Sequence, residues 1–292
     1  MSERIAFIGL GKMGQPMARR LLGAGYTVAG HDVSTVAVAA LSGEAGFHPS
    51  ASVLEAVRGA GVVLLMLPDS PVVDALLWEQ GLAAALALQA GHLVLDMGSS
   101  DPVRSRENAA RLATLGVAFV DAPVSGGVKR AVDGSLAIMM GGETQAVERV
   151  RPMLQAMGKT LVHVGTAGAG HAVKALNNYV SASGLLAVCE ALTAAEAFGI
   201  DPHKVNQVFN ASTGRNNTTD VKVEAFMLSG AFNSGFALAL MRKDLQTAQA
   251  FIERMGTQGD FAKACLQAWQ QAQNTLDTGS DHTAMYQFIR GR

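Results

Sequence analysis

The sequence predicts an α/β chain: a doubly wound, mainly parallel sheet followed by an all-helical second domain. Three observations carry that expectation. Across residues 4–164, short apolar runs alternate with helix-like segments, as in strands joined by covering helices. The runs are continuously apolar, which suits strands buried on both faces. Beyond residue 165 no convincing strand follows, and long alanine- and leucine-rich helical patterns take over.

The elements follow in order. Residues 4–8, Arg-Ile-Ala-Phe-Ile, form an apolar run that ends at a glycine, and a helix-like segment covers 15–24. Residues 26–32 read as a second strand, and further strands are expected at 62–67, 93–97, 118–121, 136–140 and 160–164. The stretch Gly165-Thr166-Ala167-Gly168-Ala169-Gly170 reads as flexible, so the domains are expected at 1–164 and 165–292. A long helix at 171–198 is closed by Gly199 and Pro202. Helical patterns at 202–213, 238–254 and 260–278 complete the second domain.

Composition removes several function classes. With 292 residues, 49% hydrophobic and only 16% charged, the chain can bury a sizeable core and is not a disordered segment. A net charge of -1 leaves no basic excess to neutralise phosphates, so a nucleic-acid partner is not expected. Cys189 and Cys265 lack CxxC spacing, so no disulfide framework is expected and a reducing cytoplasm is the simple reading. The seven histidines include no HExxH or similar pair, so no metal site is expected. The amino terminus shows no cationic and apolar leader. Apolar runs are short, or interrupted as at Asn177, Asn178, Glu190 and Glu196, so a soluble protein without a membrane partner is expected.

Gly9-Leu10-Gly11-Lys12-Met13-Gly14 is a GxGxxG that follows an apolar strand and opens a helix. Gly9 permits the tight turn, Gly11 lets backbone approach a pyrophosphate, and Gly14 lets helix and strand pack closely. The helix N-terminus offers N–H groups and a favourable dipole to phosphate. Asp32 closes the second strand, about 20 residues on, where a carboxylate hydrogen-bonds a ribose 2′-hydroxyl. It would repel a 2′-phosphate, so a Rossmann-type domain binding NAD, with NADP possible, is expected. The plain alternative is a strand-turn-helix with a solvent-facing Asp32.

Three further clusters have a plain reading beside a chemical one. Asp121-Ala122-Pro123-Val124-Ser125-Gly126-Gly127 offers a hydroxyl and backbone N–H groups suited to a carboxylate, yet alone it reads best as a glycine-rich turn. Lys174 and Asn178 stand at i and i+4 on a helix that is otherwise apolar on that face. Such a lysine is either an acid/base group or one whose charge reaches the surface along its stem. Lys243-Asp244-Leu245, taken alone, reads as an exposed ion pair. His31, His163 and His171 are isolated in sequence and read as structural or solvated. Trp78, Trp269 and the methionines read as packing residues.

Taken together the clusters resemble the β-hydroxyacid dehydrogenase family, of 3-hydroxyisobutyrate dehydrogenase and tartronate semialdehyde reductase type, over nearly the whole chain. The segment from Phe7 to Met17 looks like its cofactor signature and Asp121 to Gly127 its substrate segment. Gly165 to Asn178 resembles its catalytic helix, and Lys243-Asp244-Leu245 its second lysine motif. The resemblance implies an NAD(P)-dependent oxidoreductase that interconverts a short 3-hydroxy acid and its semialdehyde in a cleft between two domains.

By the same resemblance Lys174 is the catalytic lysine. Asn177 and Asn178 orient the substrate, and Ser125, Gly126 and Gly127 hold its carboxylate. Lys243 approaches cofactor and substrate with Asp244 in support, and Leu67, Pro68 and Ser99 line the cofactor. Gly98 departs from the family, which often has serine there. The polar stretch 212–219 lacks a tryptophan found in some members, which leaves room for a more hydroxylated substrate. Imine reductases share the architecture, and non-catalytic dinucleotide-binding modules resemble it; both tend to lack the lysine, so Lys174 argues against them. A homodimer or homotetramer paired through the helical domain is implied as well.

Overall fold

The structure is a computed structural model that describes residues 3–88 and 91–292. The chain divides into two units, the first ending at Lys174 and the second spanning Ala175–Arg292.

Among the described residues the first unit is built on a sheet of nine strands. These are β1 (Arg4–Ile8), β2 (Thr27–His31), β3 (Phe47–Pro49), β4 (Val62–Leu65) and β5 (Leu93–Asp96), then β6 (Ala118–Asp121), β7 (Val124–Ser125), β8 (Leu136–Gly142) and β9 (Gly158–Gly165). Their order is β3-β2-β1-β4-β5-β6-β8-β7, and β9 pairs with β8. Strands β1 to β6 run parallel where they pair, and β8 lies antiparallel to β6 and β7. Reversal of strand order on either side of β1 is the switch point at which doubly wound sheets bind ligands.

Continuous apolarity in these strands has a direct cause. Successive side chains point to opposite faces of a sheet. Ile5, Phe7, Leu64 and Leu95 enter one buried cluster with Met17 and Leu21. Ala6, Ile8, Val63, Leu65 and Val94 enter another with Leu76 and Leu77. Helices cover both faces: α1 (Gly14–Gly23), α2 (Thr35–Ala39), α3 (Val53–Ala56), α4 (Ser70–Asp74), α5 (Leu82–Ala87), α6 (Pro102–Ala113), α7 (Gly127–Asp133) and α8 (Thr144–Met157). Two strands go beyond the sequence expectation. The short β3 carries Pro49 at the sheet edge, where a missing N–H is tolerated, and β7 is a two-residue strand.

The second unit contains most of α9 (Ala169–Ala197), then α10 (Pro202–Ala211), α11 (Leu238–Arg254), α12 (Asp260–Thr275) and α13 (Met285–Arg290). Asp201 caps α10 by accepting from His203 N, with Pro202 preset for a first helical turn. Gly199, at φ +91°, takes the left-handed conformation that closes α9. The expected helices at 202–213 and 260–278 end earlier, because Ser212 and Leu276 are extended. A π-helical segment, Thr218–Leu228, lay outside the sequence expectation.

By length and composition α9 suffices to cross a membrane, with 29 residues and a window of mean hydropathy 1.3, despite its polar interruptions. Its Ala182, Leu185, Cys189 and Leu192 are fully buried in the second unit's core beside Trp269 and Tyr286. Asp281 ties this unit's long connection down. Its carboxylate accepts from Ser234 Oγ, Gly235 N, Phe236 N, Thr283 N and Thr283 Oγ1. Burial alone would raise its pKa, but hydrogen bonds from His282, Thr283 and Ser234 prevail and hold the carboxyl far below the usual carboxylate range. A depressed folded-state pKa stabilises the fold above the unfolded value of about 3.9 and loses that contribution as pH falls through the folded value. Asp281→Asn is therefore expected to lower the melting temperature at pH 7 and to narrow the gap from wild type as the pH drops below 4. Equal melting temperatures at pH 7 would contradict this.

Candidate active site

The glycine turn joins β1 to α1 at the carboxyl ends of the parallel strands. Gly9, at φ +98°, donates its N–H to His31 O at 2.9 Å, and a Cβ here would lie 2.3 Å from Met66 O. A Cβ on Gly14 would lie 2.0 Å from Gly9 O. Backbone packing thus enforces both glycines. Gly11 differs: it is exposed, and a Cβ on it would meet nothing within 4 Å. No internal contact requires glycine there, so the open space before α1 is a cradle that a side chain would fill. α1 has no side-chain cap and no acid in its first turn, which keeps its N-terminus suited to an anion. These features fit a dinucleotide pyrophosphate. Lys12 is exposed beside the turn, and Met13 is half-buried at the start of α1.

Asp32 is half-buried, not simply solvent-facing. Its Oδ2 accepts from Leu10 N at 2.6 Å and its Oδ1 from Ser34 N at 2.7 Å, which locks the carboxylate against the turn. It lines a cavity of about 430 Å³ together with His31, Thr35, Ser50 and Glu55. His31 Nδ1 lies 3.0 Å from Ser50 O. Leu67, Pro68 and Ser99 follow the ends of β4 and β5. The departure at Gly98 has a steric reason, since a Cβ there would lie 2.5 Å from Leu67 O.

Beyond β6, Ser125 is half-buried and Gly126 and Gly127 are exposed, with φ of +135° and +67°. Two successive glycines in that region permit a backbone course that other residues resist. Asp121, at the start of this segment, is fully buried. It accepts from Gly168 N at 2.7 Å and His171 N at 2.8 Å, and so anchors the start of α9. Burial pushes its carboxyl up, against the lowering influence of His171 and these two N–H groups. His171, isolated in sequence, is not isolated in space: it stands beside Asp96, Asp121 and Ser105.

On α9, Lys174 is half-buried, Asn177 exposed and Asn178 buried. Within the second unit Asn177 Nδ2 donates to Asn178 Oδ1 at 3.1 Å, and Asn178 Nδ2 donates to Asp244 Oδ2 at 2.6 Å. Lys243 Nζ lies 3.4 Å from Asp244 Oδ1. The structure thus joins Asn177, Asn178, Lys243 and Asp244 in one network. Asp244 is 4% exposed, so the surface ion-pair reading of Lys243-Asp244 does not hold. A buried carboxylate requires such partners. The polar stretch at 212–219 largely serves the fold: Asn216 Oδ1 accepts from Thr218 N and Thr219 N, and both threonines are buried. That weakens the argument for a more hydroxylated substrate.

The sequence assigns no role to Asp96, Ser100 or Ser105 and reads His171 as structural or solvated; the structure brings the four together. The signal for the first was present in Asp96-x-Gly-Ser-Ser directly after a buried strand.

A phosphate cradle at the switch point of a parallel sheet, followed by a helix bearing lysine and asparagine, defines a dinucleotide-dependent oxidoreductase. Residues 4–165 match the NAD-binding domain of 6-phosphogluconate dehydrogenase. Residues 168–289 match the NAD-binding domain of NADP-dependent 3-hydroxyisobutyrate dehydrogenase. The chain is 36% identical to 2-(hydroxymethyl)glutarate dehydrogenase of Eubacterium barkeri, over 85% of its own length and 81% of the relative's. It is 32% identical to 2-hydroxy-3-oxopropionate reductase of Escherichia coli, over 98% and 97%. It superposes on Mycobacterium tuberculosis 3-hydroxyisobutyrate dehydrogenase with L-serine at a TM-score of 0.92 and 33% identity, covering 99% of this chain and 100% of the other. The chain belongs to the β-hydroxyacid dehydrogenase family.

Proposed function

We propose that this enzyme interconverts a short 3-hydroxy acid and its semialdehyde. The observation that carries the reading is the α9 array: Lys174 is followed one turn later by Asn178, whose amide is held by buried Asp244, which also faces Lys243. The compounds in the relatives' names support the substrate class. 2-(Hydroxymethyl)glutarate, 2-hydroxy-3-oxopropionate, 3-hydroxyisobutyrate and serine each carry a primary alcohol or aldehyde carbon one carbon away from a carboxylate-bearing carbon.

Bound nicotinamide supplies or accepts the hydride. In reduction Lys174 Nζ donates a proton to the oxygen of the aldehyde; in oxidation it takes the proton back from the alcohol. Ser125, Gly126 and Gly127 grip the carboxylate, and Asn177 and Asn178 orient the reacting carbon. Lys243, fixed by Asp244, adds positive charge near substrate and cofactor. Gly9 to Gly14, with Leu67, Pro68 and Ser99, hold the dinucleotide, and Asp32 takes its adenosine ribose. Exposed Val180, Phe198 and Phe261 support pairing of helical units into a dimer or tetramer. Cys189 and Cys265, both free and buried, suit the cytoplasm.

The test is absorbance of the reduced nicotinamide with tartronate, methylmalonate and succinic semialdehydes and glyoxylate, and in reverse with the hydroxy acids and serine. Turnover of at least one of the two 3-oxo acids, tartronate or methylmalonate semialdehyde, is expected, and silence across the panel would overturn the substrate class. NADH is expected to outperform NADPH, because Asp32 repels a 2′-phosphate, and Asp32→Ser to shrink that preference at least tenfold. Equal kcat/KM with both cofactors in the wild type would contradict the role of Asp32.

A further inference from the structure

One group of buried titratable side chains has no part in the proposed proton and hydride transfer. His171 is 1% exposed and its side chain fully enclosed. Its Nδ1 is 2.8 Å from Ser105 Oγ and 3.7 Å from Asp121 Oδ2. Its Nε2 is 3.9 Å from Asp96 Oδ2 and has no hydrogen-bond partner among the described residues. Asp96, at the end of β5, accepts from Gly98 N at 3.0 Å and Ser100 Oγ at 2.8 Å. Asp121, at the end of β6, holds the N–H groups of Gly168 and His171. The approach is close: a Cβ on Gly170 would lie 2.8 Å from Asp121 Oδ2, and one on Gly141 would lie 2.6 Å from Asp121 Oδ1.

Carboxylates are rarely buried without partners, and here the imidazole stands between two of them. Their positions along the chain matter. Asp96 precedes the segment with Ser99, Asp121 precedes Ser125-Gly126-Gly127, and His171 precedes Lys174 by three residues on the same helix. Residues three apart share a helical face.

We infer that His171, held by Ser105 between Asp96 and Asp121, is a positioning residue that fixes the first turn of α9, and so Lys174, against the ends of β5 and β6. The inference rests on the reading of Lys174 as the acid/base group. Displacement of a reacting group by about 1 Å costs about 100-fold in rate, so loosening this turn acts on turnover before it acts on ligand binding.

The test compares His171→Leu, His171→Asn and Ser105→Ala with Lys174→Ala in the intact enzyme. His171→Leu is expected to lower kcat at least tenfold, with the dissociation constant for NADH and the KM for the semialdehyde within threefold. His171→Asn, which keeps a polar partner for Ser105, recovers much of that loss. Ser105→Ala falls between wild type and His171→Leu. Amide exchange at residues 168–174 quickens in His171→Leu and Ser105→Ala but not in Lys174→Ala. Should His171→Leu fail to fold, Ser105→Ala decides alone. Wild-type kcat and unchanged exchange in the folded variants would overturn the positioning role while leaving the Lys174 reading standing. Wild-type turnover in Lys174→Ala would remove the Lys174 reading, and this inference with it.

Discussion

Lys174→Ala is expected to lower kcat by about 10²- to 10⁴-fold, the range set by loss of a positioned general acid/base. Aldehyde reduction places negative charge on an oxygen as hydride reaches carbon, and a nearby ammonium both stabilises that charge and delivers the proton. On the proposed reading Lys174 supplies that ammonium; it is half-buried near the start of a helix whose first turn is anchored on Asp121. The dinucleotide turn is closed by contacts within the β1–α1 region and by Met66 and His31, none of which involves Lys174. NADH affinity measured by fluorescence is therefore expected to stay within threefold of wild type. Turnover within tenfold of wild type would exclude the proposed proton transfer, and a collapse of NADH affinity would show that the lysine acts through the cofactor site.

The fold was legible because it rests on local signals. Continuous apolar runs became two-sided strands, and glycine turns, an Asp-Pro start and a terminal glycine marked helix boundaries. The cofactor turn was legible for the same reason, since Gly9, Gly11 and Gly14 lie within one turn of chain. What stayed hidden joins distant segments. Asp121 and His171 are 50 residues apart, and Asn178 and Asp244 are 66 apart. Read singly, His171 was a structural or solvated histidine with nothing to choose between the two, and Lys243-Asp244 a surface pair, because burial is set by tertiary packing. The π-helical Thr218–Leu228 was not legible either; Asn216 Oδ1 accepts from Thr218 N and Thr219 N at its start. Four ordered motifs carried the family resemblance past these gaps, while each motif alone favoured or allowed a plainer reading.

Gly11 and Gly14 sit in one motif, yet their replacement is expected to fail in different ways. A methyl group at Gly14 would lie 2.0 Å from Gly9 O, a backbone atom in the neighbouring turn. Gly14→Ala must therefore shift α1 away from β1. The expected result is a stability loss of about 1–3 kcal/mol or more, accompanied by weaker NADH binding. At Gly11 the same methyl group meets no protein atom within 4 Å. Gly11→Ala and Gly11→Val are expected to leave the melting temperature close to wild type, since exposed substitutions commonly stay within about 0.5 kcal/mol. They are nonetheless expected to weaken NADH at least tenfold, because the added carbon occupies the space before the α1 N-terminus where backbone must meet the pyrophosphate. Thermal melts and NADH titrations on the same samples separate the two cases. Gly11→Val with normal NADH affinity would place the pyrophosphate elsewhere, and Gly11→Val with a large loss of stability would make the glycine a packing residue.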